Sequence, residues 1–212
     1  MDITWFGQSC FRLRFKAATI ITDPFDGQIG LKLPRQKAEI CTISHDHPDH
    51  NNQRAVGGEA VIFSGPGEYE RAGIFVFGIA TFHDRRNGRD RGRNTAFRIE
   101  GDGLSVCHLG DLGHVPTQSQ IEELHAPDVL LIPVGGNGTL NAAEAAEVVG
   151  LLSPRLVIPM HYQLPGLKMK LDPVSRFLHE MGVPKATPQE SLRVMPVAEA
   201  HETQVVVLEP KQ

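Results

Sequence analysis

Long hydrophobic runs are missing from this 212-residue sequence. No uninterrupted apolar stretch approaches the roughly 18 residues that a membrane-spanning helix needs, and no basic segment followed by an apolar run opens the chain. Cysteine is also scarce, because only Cys10, Cys41 and Cys107 occur, far apart and among apolar residues. An odd number of such cysteines predicts reduced core thiols rather than disulfides. We therefore expect a cytoplasmic protein with no membrane partner.

A strong excess of charge of either sign is absent as well. The formal net charge is -4 and the sequence pI is about 6.2, so no general attraction to nucleic acid is expected and we predict no nucleic-acid partner. Hydrophobic residues make up 41% and charged residues 22%, which is typical of a folded chain. Because no Pro-, Gly- or Ser-rich linker and no repeat interrupts the sequence, we predict a single domain over residues 1–212.

The first half of the chain has the pattern of β-structure. Gly101, Asp102 and Gly103 separate two of its apolar segments and predict a tight hairpin. Short alternating or continuous apolar segments, bounded by Gly, Asp and Asn, predict strands at residues 3–6, 10–15, 19–22, 40–43, 60–63, 74–82, 95–100 and 104–109.

After residue 111 the pattern changes to alternating helices and strands. We predict helices at residues 118–124 and 141–152, with strands at 129–134 and 156–159. Asn141 opens the second helix with Glu144 three residues on, as in a capping box, and a third helix begins at Asp172 and Pro173 and ends near Gly182. The two halves are expected to form layers of one fold.

A dense cluster of possible metal ligands follows the apolar segment 40–43. His45, His47, Asp49 and His50 lie within six residues as H-x-H-x-D-H. Neutral imidazole nitrogen and carboxylate oxygen suit zinc, manganese or iron, and the lack of cysteine argues against a closed structural zinc site. The alternative is a histidine-rich surface turn with no function, but the position at a strand end favours a metal site.

Three later residues share this placement at the end of an apolar segment. His83 follows residues 74–82, Asp111 follows residues 104–110, and His161 follows residues 156–160. Each alone would be weak support, because a single histidine after a strand is commonly a hydrogen-bonded surface or core residue. Together they predict that several strand ends meet at one face and form one site.

These segments resemble the metallo-β-lactamase-fold hydrolases, and especially the branch related to ascorbate-6-phosphate lactonases. The resemblance covers nearly the whole chain and rests on residues 44–50 (SHDHPDH), 65–70 (GPGEYE), 83–97, 108–111 (HLGD), 133–136 (PVGG) and 158–162 (IPMHY). It implies an α+β fold, the four-layer αβ/βα sandwich, with the metals at one edge between two sheets.

The resemblance also implies the ligand set of two divalent metal ions, zinc first and manganese or iron as alternatives. His45, His47 and His83 would hold one ion, while Asp49, His50 and His161 would hold the other and Asp111 would bridge them. Two such ions share and activate a water, so the expected nucleophile is a hydroxide, with Asp49 and Asp111 as the catalytic carboxylates that balance charge and aim it.

Residues for substrate binding are predicted less directly. Tyr162 follows a ligand and Asn94 follows an arginine-rich segment, so either is a candidate donor to a developing oxyanion, with packing as the alternative. Five arginines lie in residues 85–93, immediately after His83, and we name Arg86 and Arg93 as candidates for binding an anionic group. The alternative is a solvated loop. Asp23 is expected to orient a ligand histidine or to form a turn.

The leading hypothesis is a metal-dependent hydrolase of an ester, lactone or phosphodiester of a small anionic molecule. A nuclease-like phosphodiesterase is the first alternative, and a non-catalytic metal-binding regulatory protein is the second. A true β-lactamase is not expected, because the ligand set lacks cysteine. The remaining histidines are interpreted as core (His108), loop (His114) or surface residues (His125, His179, His201). A homo-oligomer is left open, with exposed apolar patches expected at residues 31–33 or 164–167.

Overall fold

Two β-sheets that share one hydrophobic core form the body of the protein. The structure is a computed structural model and describes residues 1–197 and 202–212. The strands are β1 (Asp2–Gly7), β2 (Cys10–Arg14), β3 (Thr19–Thr22), β4 (Gln36–Lys37), β5 (Ile40–Ile43), β6 (Val56–Gly57), β7 (Val61–Ser64), β8 (Gly67–Arg71), β9 (Ile74–Phe82), β10 (Arg93–Gly101), β11 (Leu104–His108), β12 (Val129–Pro133), β13 (Leu156–Met160), β14 (Leu192–Arg193) and β15 (Gln204–Val205). The α-helices are α1 (Gln118–Leu124), α2 (Ala142–Leu152) and α3 (Val174–Glu180).

Each sheet combines an antiparallel and a parallel part. The six-stranded sheet has the order β14-β1-β2-β3-β5-β7, antiparallel from β14 to β3 and parallel from β3 to β7. The seven-stranded sheet has the order β15-β13-β12-β11-β10-β9-β8, parallel from β15 to β11 and antiparallel from β11 to β8. Strands β4 and β6 form a separate parallel pair.

The helices pack together against the seven-stranded sheet. Helix α2 contacts α1, α3 and β12, and α1 contacts β9. In residues 1–117, all of which are described, the strand connections contain only two 3-10 turns, Gly27–Ile29 and Gln53–Ala55. The predicted α+β sandwich is confirmed, and the α-helices of the described residues all follow residue 117.

Local sequence signals explain several element boundaries. The predicted hairpin is present, because Gly101 pairs with Leu104 and both loop residues adopt positive φ, 52° at Asp102 and 71° at Gly103. The capping box of α2 is also confirmed, with Glu144 N donating to Asn141 Oδ1 at 3.0 Å and Asn141 N donating to Glu144 Oε2 at 3.0 Å. Both features are set by short-range chemistry.

The three cysteines are free and buried, as predicted. The predicted exposed leucine patches are wrong, because Leu31, Leu164 and Leu167 are only 5%, 6% and 8% exposed and Leu33 is partly buried against the core. The two segments pack on each other, as the hydrogen bond from Lys168 N to the Ile29 carbonyl at 2.9 Å shows. No helix among the described residues is long and apolar enough to cross a membrane.

Candidate metal centre

The predicted ligands lie where strands of both sheets end. β5 of the six-stranded sheet leads into residues 44–50, while β9, β11 and β13 of the seven-stranded sheet lead to His83, Asp111 and His161. Gly110 allows the two sheets to approach here. Its φ is +55°, and a Cβ at this position would lie 2.5 Å from both Asn94 Oδ1 and Ser44 Cβ. A larger residue would therefore push β5 and β11 apart at the site.

Seven predicted ligands form two groups. The first group consists of His45, His47 and His83, and the second of Asp49, His50, Asp111 and His161. Each residue offers one nitrogen or oxygen, and within a group these atoms all lie within 4.8 Å of one another. In the first group, His45 Nε2 lies 2.9 Å from His47 Nδ1. In the second group, His50 Nε2 lies 3.3 Å from Asp49 Oδ2, and His161 Nε2 lies 3.8 Å from the same oxygen.

The Asp111 carboxylate lies between the two groups. Its Oδ2 is 3.2 Å from His83 Nε2 and 3.9 Å from His45 Nε2, both in the first group. The same oxygen is 3.3 Å from His161 Nε2, and Oδ1 is 3.3 Å from His50 Nε2. One carboxylate thus reaches imidazoles of both groups, which is the geometry that a bridging ligand requires.

Hydrogen bonds at the opposite ring nitrogens orient three of these histidines. His50 Nδ1 donates to Asp23 Oδ2 at 2.8 Å, and His83 Nδ1 donates to the Gly138 carbonyl at 3.3 Å. Because Nδ1 donates in both rings, Nε2 is the nitrogen that would bind a metal ion at the centre.

Ser44 extends the influence of Asp23 to His45. The Ser44 hydroxyl donates to Asp23 Oδ2 at 2.5 Å, and its oxygen lies 2.9 Å from His45 Nδ1. Since this hydroxyl donates its proton to Asp23, it accepts one from His45 Nδ1. Asp23 therefore controls the ring tautomer of one histidine in each group, directly for His50 and through Ser44 for His45.

The protonation of the centre follows from burial and from neighbouring charge. Burial and the neighbouring His50 lower the pKa of His45 to about 3, and burial and His83 lower the pKa of His47. Burial alone would raise the pKa of Asp111, but His161, His50 and His83 outweigh it and hold this pKa well below its ordinary value. His45 and His47 are thus neutral imidazoles beside an ionised Asp111.

His50 differs from the other histidines. Burial opposes its charged form, but Asp111, Asp23 and Asp49 together outweigh burial and raise the pKa of His50 well above its ordinary value. Burial likewise opposes ionisation of Asp49, while His161 and His50 lower its pKa. A cation among these carboxylates is therefore favoured.

The residues present fit a metal ion. His50 Nε2, Asp111 Oδ1 and both ring nitrogens of His161 are buried atoms that make no hydrogen bond within the described residues. Leaving such atoms unsatisfied is costly, and a divalent cation bound by nitrogen and carboxylate oxygen would satisfy those that face the centre. The same donor set suits zinc, manganese or iron.

A pocket of about 980 Å³ opens beside the first group. Of the four residues predicted to bind substrate, Arg93 and Asn94 line it, whereas Arg86 and Tyr162 do not. Tyr162 is 4% exposed and packs against Trp5, with ring centroids 5.1 Å apart, and burial raises the pKa of its hydroxyl well above its ordinary value. The structure therefore places the Tyr162 ring in the core rather than on the pocket wall.

Asn94 is occupied by hydrogen bonds to the protein. Its amide donates to Thr81 Oγ1 at 2.7 Å and to the Leu109 carbonyl at 2.9 Å, while its Oδ1 accepts from Asp111 N at 2.9 Å. An amide with both donor directions used has little capacity left for an oxyanion. The geometry favours a role in positioning Asp111.

The other predicted histidines lie outside the ligand groups. His108 is fully buried beneath the site and bonds the Ser9 carbonyl through Nε2 at 2.8 Å, in agreement with a core role. His114 accepts from Phe82 N at 3.3 Å, and its Nδ1 donates to the Val115 carbonyl. His125 and His179 are exposed, and His201 lies outside the described residues.

Two residues near the centre were missed by sequence reasoning. Gln8 is fully buried with φ of 47°, and its amide donates to Asp49 Oδ2 at 3.3 Å. Asp84 follows His83, and its carboxylate accepts hydrogen bonds from the backbone of the following loop. An Asp directly before a Gly-containing turn was a usable signal for Asp84, whereas nothing local identifies Gln8.

Known proteins resemble the chain over most of its length. Residues 2–161 match the family described as Beta-lactamase superfamily domain. A relative described as a UPF0173 metal-dependent hydrolase, from Thermoplasma acidophilum, is 30% identical over 188 residues, covering 76% of this chain and 83% of the relative. One of the same description, from Korarchaeum cryptofilum, is 31% identical over 204 residues, covering 85% and 92%.

A solved structure agrees with these relatives. A protein of Thermotoga maritima, described as a candidate Zn-dependent hydrolase of the metallo-β-lactamase superfamily, is 39% identical, with a TM-score of 0.81 over 98% of this chain and 99% of that one. At this level of identity and coverage, the chain belongs to the UPF0173 family of metal-dependent hydrolases and adopts the metallo-β-lactamase fold.

Proposed function

We propose that this metal-dependent hydrolase uses two divalent metal ions, zinc in the first place, to hydrolyse an ester or lactone of a small anionic molecule. The observation that carries the proposal is the position of Asp111, whose carboxylate lies 3.2 Å from His83 Nε2 in one ligand group and 3.3 Å from His161 Nε2 in the other. A single bridging carboxylate at this point suits a two-metal site.

The roles of the residues follow from the donor set. His45, His47 and His83 would hold one ion, and Asp49, His50 and His161 the other, with Asp111 shared. Bound together, two such ions lower the pKa of a water toward neutrality and polarise the bond under attack. The Asp49 and Asp111 carboxylates balance the cationic charge and orient the attacking water. Asp23, Ser44 and the Gly138 carbonyl would hold the Nδ1 side of three candidate ligand histidines, which leaves Nε2 as the nitrogen that binds metal.

The anionic character of the substrate is supported by the pocket beside the first group. Arg91 and Arg93 line it, together with His45 and His47. Apolar side chains such as Ile43 and Phe82 line the same pocket, so the substrate would pair an anionic group with an apolar portion. The resemblance of the sequence to the lactonase branch favours a carbonyl ester over a phosphodiester as the substrate. We also propose a cytoplasmic location, which suits three buried free thiols, and a single domain over residues 1–212.

The proposal is tested by assaying the zinc-loaded protein on carboxylic esters, lactones, phosphodiesters and an RNA oligonucleotide. We expect turnover of an anionic ester or lactone. In Asp111→Asn the activity should fall by more than about 100-fold, because an amide cannot balance the charge of two cations. Mutation of a residue that only hydrogen-bonds a metal ligand already costs up to that factor in activity. Asp172→Asn, which removes a carboxylate paired with Arg176 on the surface, is the control.

Metal content gives an independent readout. Asp49→Ala should lower bound zinc from about two ions per chain toward one, as measured by mass spectrometry after dialysis, because a ligand of the second group is lost. Near-normal turnover in Asp111→Asn, or unchanged zinc in Asp49→Ala, would refute the assignment. Faster cleavage of RNA or of a phosphodiester than of any ester would favour the nuclease-like alternative instead.

A further inference from the structure

Backbone N–H groups of the arginine loop, residues 85–93, donate to a single carboxylate, that of Asp84. Asp84 Oδ1 accepts hydrogen bonds from Arg86 N at 2.7 Å and Gly88 N at 2.9 Å. Asp84 Oδ2 accepts from Asp90 N at 3.0 Å and Arg91 N at 2.8 Å. Desolvation acts against ionisation here, but these four N–H groups outweigh it and lower the pKa of Asp84 to about 2. The loop therefore has a defined path rather than that of a free solvated segment.

The five arginines of the loop divide into two sets. Arg85 forms a two-pronged ion pair with Glu144 of α2, with Nε 2.9 Å from Oε1, and Arg86 pairs with Asp90 at 2.9 Å. Within residues 1–197 and 202–212, the loop arginines whose side chains form hydrogen bonds or ion pairs are Arg85 and Arg86, and the side chains of Arg89, Arg91 and Arg93 form none. Of these three, Arg91 and Arg93 line the pocket and Arg89 does not.

The Arg91 guanidinium lies close to the candidate ligand His83. A Cβ on Gly138 would lie 2.3 Å from Arg91 Nε and 2.4 Å from Arg91 Cζ, so the guanidinium packs directly on the Gly138 backbone. The carbonyl of Gly138 in turn accepts from the ring of His83 at 3.3 Å. Only one residue therefore separates this guanidinium from a ligand of the first group.

Arg93 reaches the same pocket from the start of β10. It pairs in register with Phe82 at the end of β9, directly before the ligand His83. The only carboxylate among the residues that line the pocket is Asp46, which accepts from the Asn51 amide. Two unpaired guanidinium groups thus face a pocket whose single acidic group is already bonded.

We propose that Arg91 and Arg93 form an anion subsite, which binds a carboxylate or phosphate group of the substrate at a distance from the bond that is cleaved. Asp84 is the positioning residue of this subsite, because its carboxylate holds the loop that carries both arginines. Guanidinium groups bind such anions through paired, charge-assisted N–H···O bonds. The identity of the anion as part of a substrate rests on the proposed function, whereas anion binding itself does not require turnover.

The test follows the Nε–H signals of the arginine side chains by NMR in the zinc-loaded full chain at pH 6. Sulfate, a tetrahedral dianion, and acetate, a carboxylate, are added separately, and signals are assigned from single Arg→Gln variants. We expect Arg91 and Arg93 to shift along one saturable curve with a common Kd, and Arg89 to stay unmoved. Tighter binding of sulfate than of acetate would identify a phosphate-type subsite, and the reverse a carboxylate-type subsite.

Matched variants make the test decisive. Arg93→Gln should raise the Kd reported by Arg91 by about tenfold, the effect of one charge-assisted hydrogen bond. Arg89→Gln removes the same charge from the same loop and should change this Kd by less than about twofold. Asp84→Asn removes one acceptor oxygen and should weaken anion binding as Arg93→Gln does, while the zinc content stays the same. Linear shifts at all five arginines, or equal effects of Arg89→Gln and Arg93→Gln, would overturn the subsite.

The outcomes separate the two proposals. Saturable shifts at Arg91 and Arg93 in a protein that hydrolyses no ester would leave the subsite standing and refute the proposed substrate class. Turnover of anionic and neutral esters with equal KM, without saturable shifts, would refute the subsite alone.

Discussion

Replacing Asp23 by Asn should weaken both metal sites with little change in shape. Asp23 is fully buried, and its Oδ1 accepts from Ser44 N at 2.8 Å, a bond that the Asn oxygen retains. Its Oδ2 accepts from His50 Nδ1 and from the Ser44 hydroxyl, and an NH2 group at that position would donate instead. His50 would then have to accept at Nδ1 and carry its proton on Nε2, the nitrogen that faces the centre.

The effect should extend to the first group through Ser44. When its oxygen accepts from the new amide, the Ser44 hydroxyl is free to donate to His45 Nδ1, 2.9 Å away, and His45 also becomes protonated on Nε2. Loss of the hydrogen bond that orients a metal-ligating histidine typically costs 10–100-fold in metal affinity. We therefore expect each zinc Kd to rise by roughly this factor, or about 1.4–2.8 kcal/mol.

The assay is competition for zinc with a chromogenic chelator, supported by thermal unfolding to confirm that the variant is folded. The control is Asp128→Asn, because Asp128 also accepts from the N–H and hydroxyl of one serine, Ser105, but lies away from the centre. Ser44→Ala should weaken only the site of His45. The reasoning is refuted if the folded Asp23→Asn variant binds both zinc ions with wild-type Kd values.

Two further predictions follow from the site. Zinc binding near pH 7 should release a proton from His50, because neighbouring carboxylates raise the pKa of His50 and a histidine must be neutral to bind metal. Calorimetry in two buffers of different ionisation enthalpy measures the number of protons released. If no proton is released, His50 is not charged in the metal-free protein. Gly138→Ala should lower the free energy of unfolding by about 1–3 kcal/mol, since φ at Gly138 is +102°. The added Cβ should also displace the Arg91 side chain and so raise KM for an anionic ester. Unchanged denaturant midpoints and an unchanged KM would contradict this prediction.

Much of the fold was predictable because its signals are local. Helices α1 and α2 begin at residues whose side chains cap them, and β3, β5 and β9 coincide with the predicted apolar segments. Strand β8 was missed, because Gly67–Arg71 has almost no buried side chain and is held by pairing with β9. The leucines at 164 and 167 were misjudged because their burial depends on a segment more than 130 residues away, around Ile29.

The clustering of the candidate ligands was predictable for a different reason. Histidine and aspartate at strand ends are a pattern typical of metal sites, and the sequence displays it at His83, Asp111 and His161. The polar partners of a residue are a tertiary property, however. The sequence does not reveal that the Asn94 amide is fully used by Thr81 and the Leu109 carbonyl, nor that Tyr162 packs on Trp5.

The way in which Asp84 holds its loop bears on how this enzyme can diversify. The four hydrogen bonds come from backbone N–H groups, so the path of the loop depends little on which side chains it carries. Substitutions at Arg91 or Arg93 would change the chemistry of the pocket wall while the loop and the neighbouring His83 keep their places. If these arginines form the proposed subsite, selection or a designed library has access to new substrates through two positions that only Gly92 separates, without changes to the candidate metal ligands.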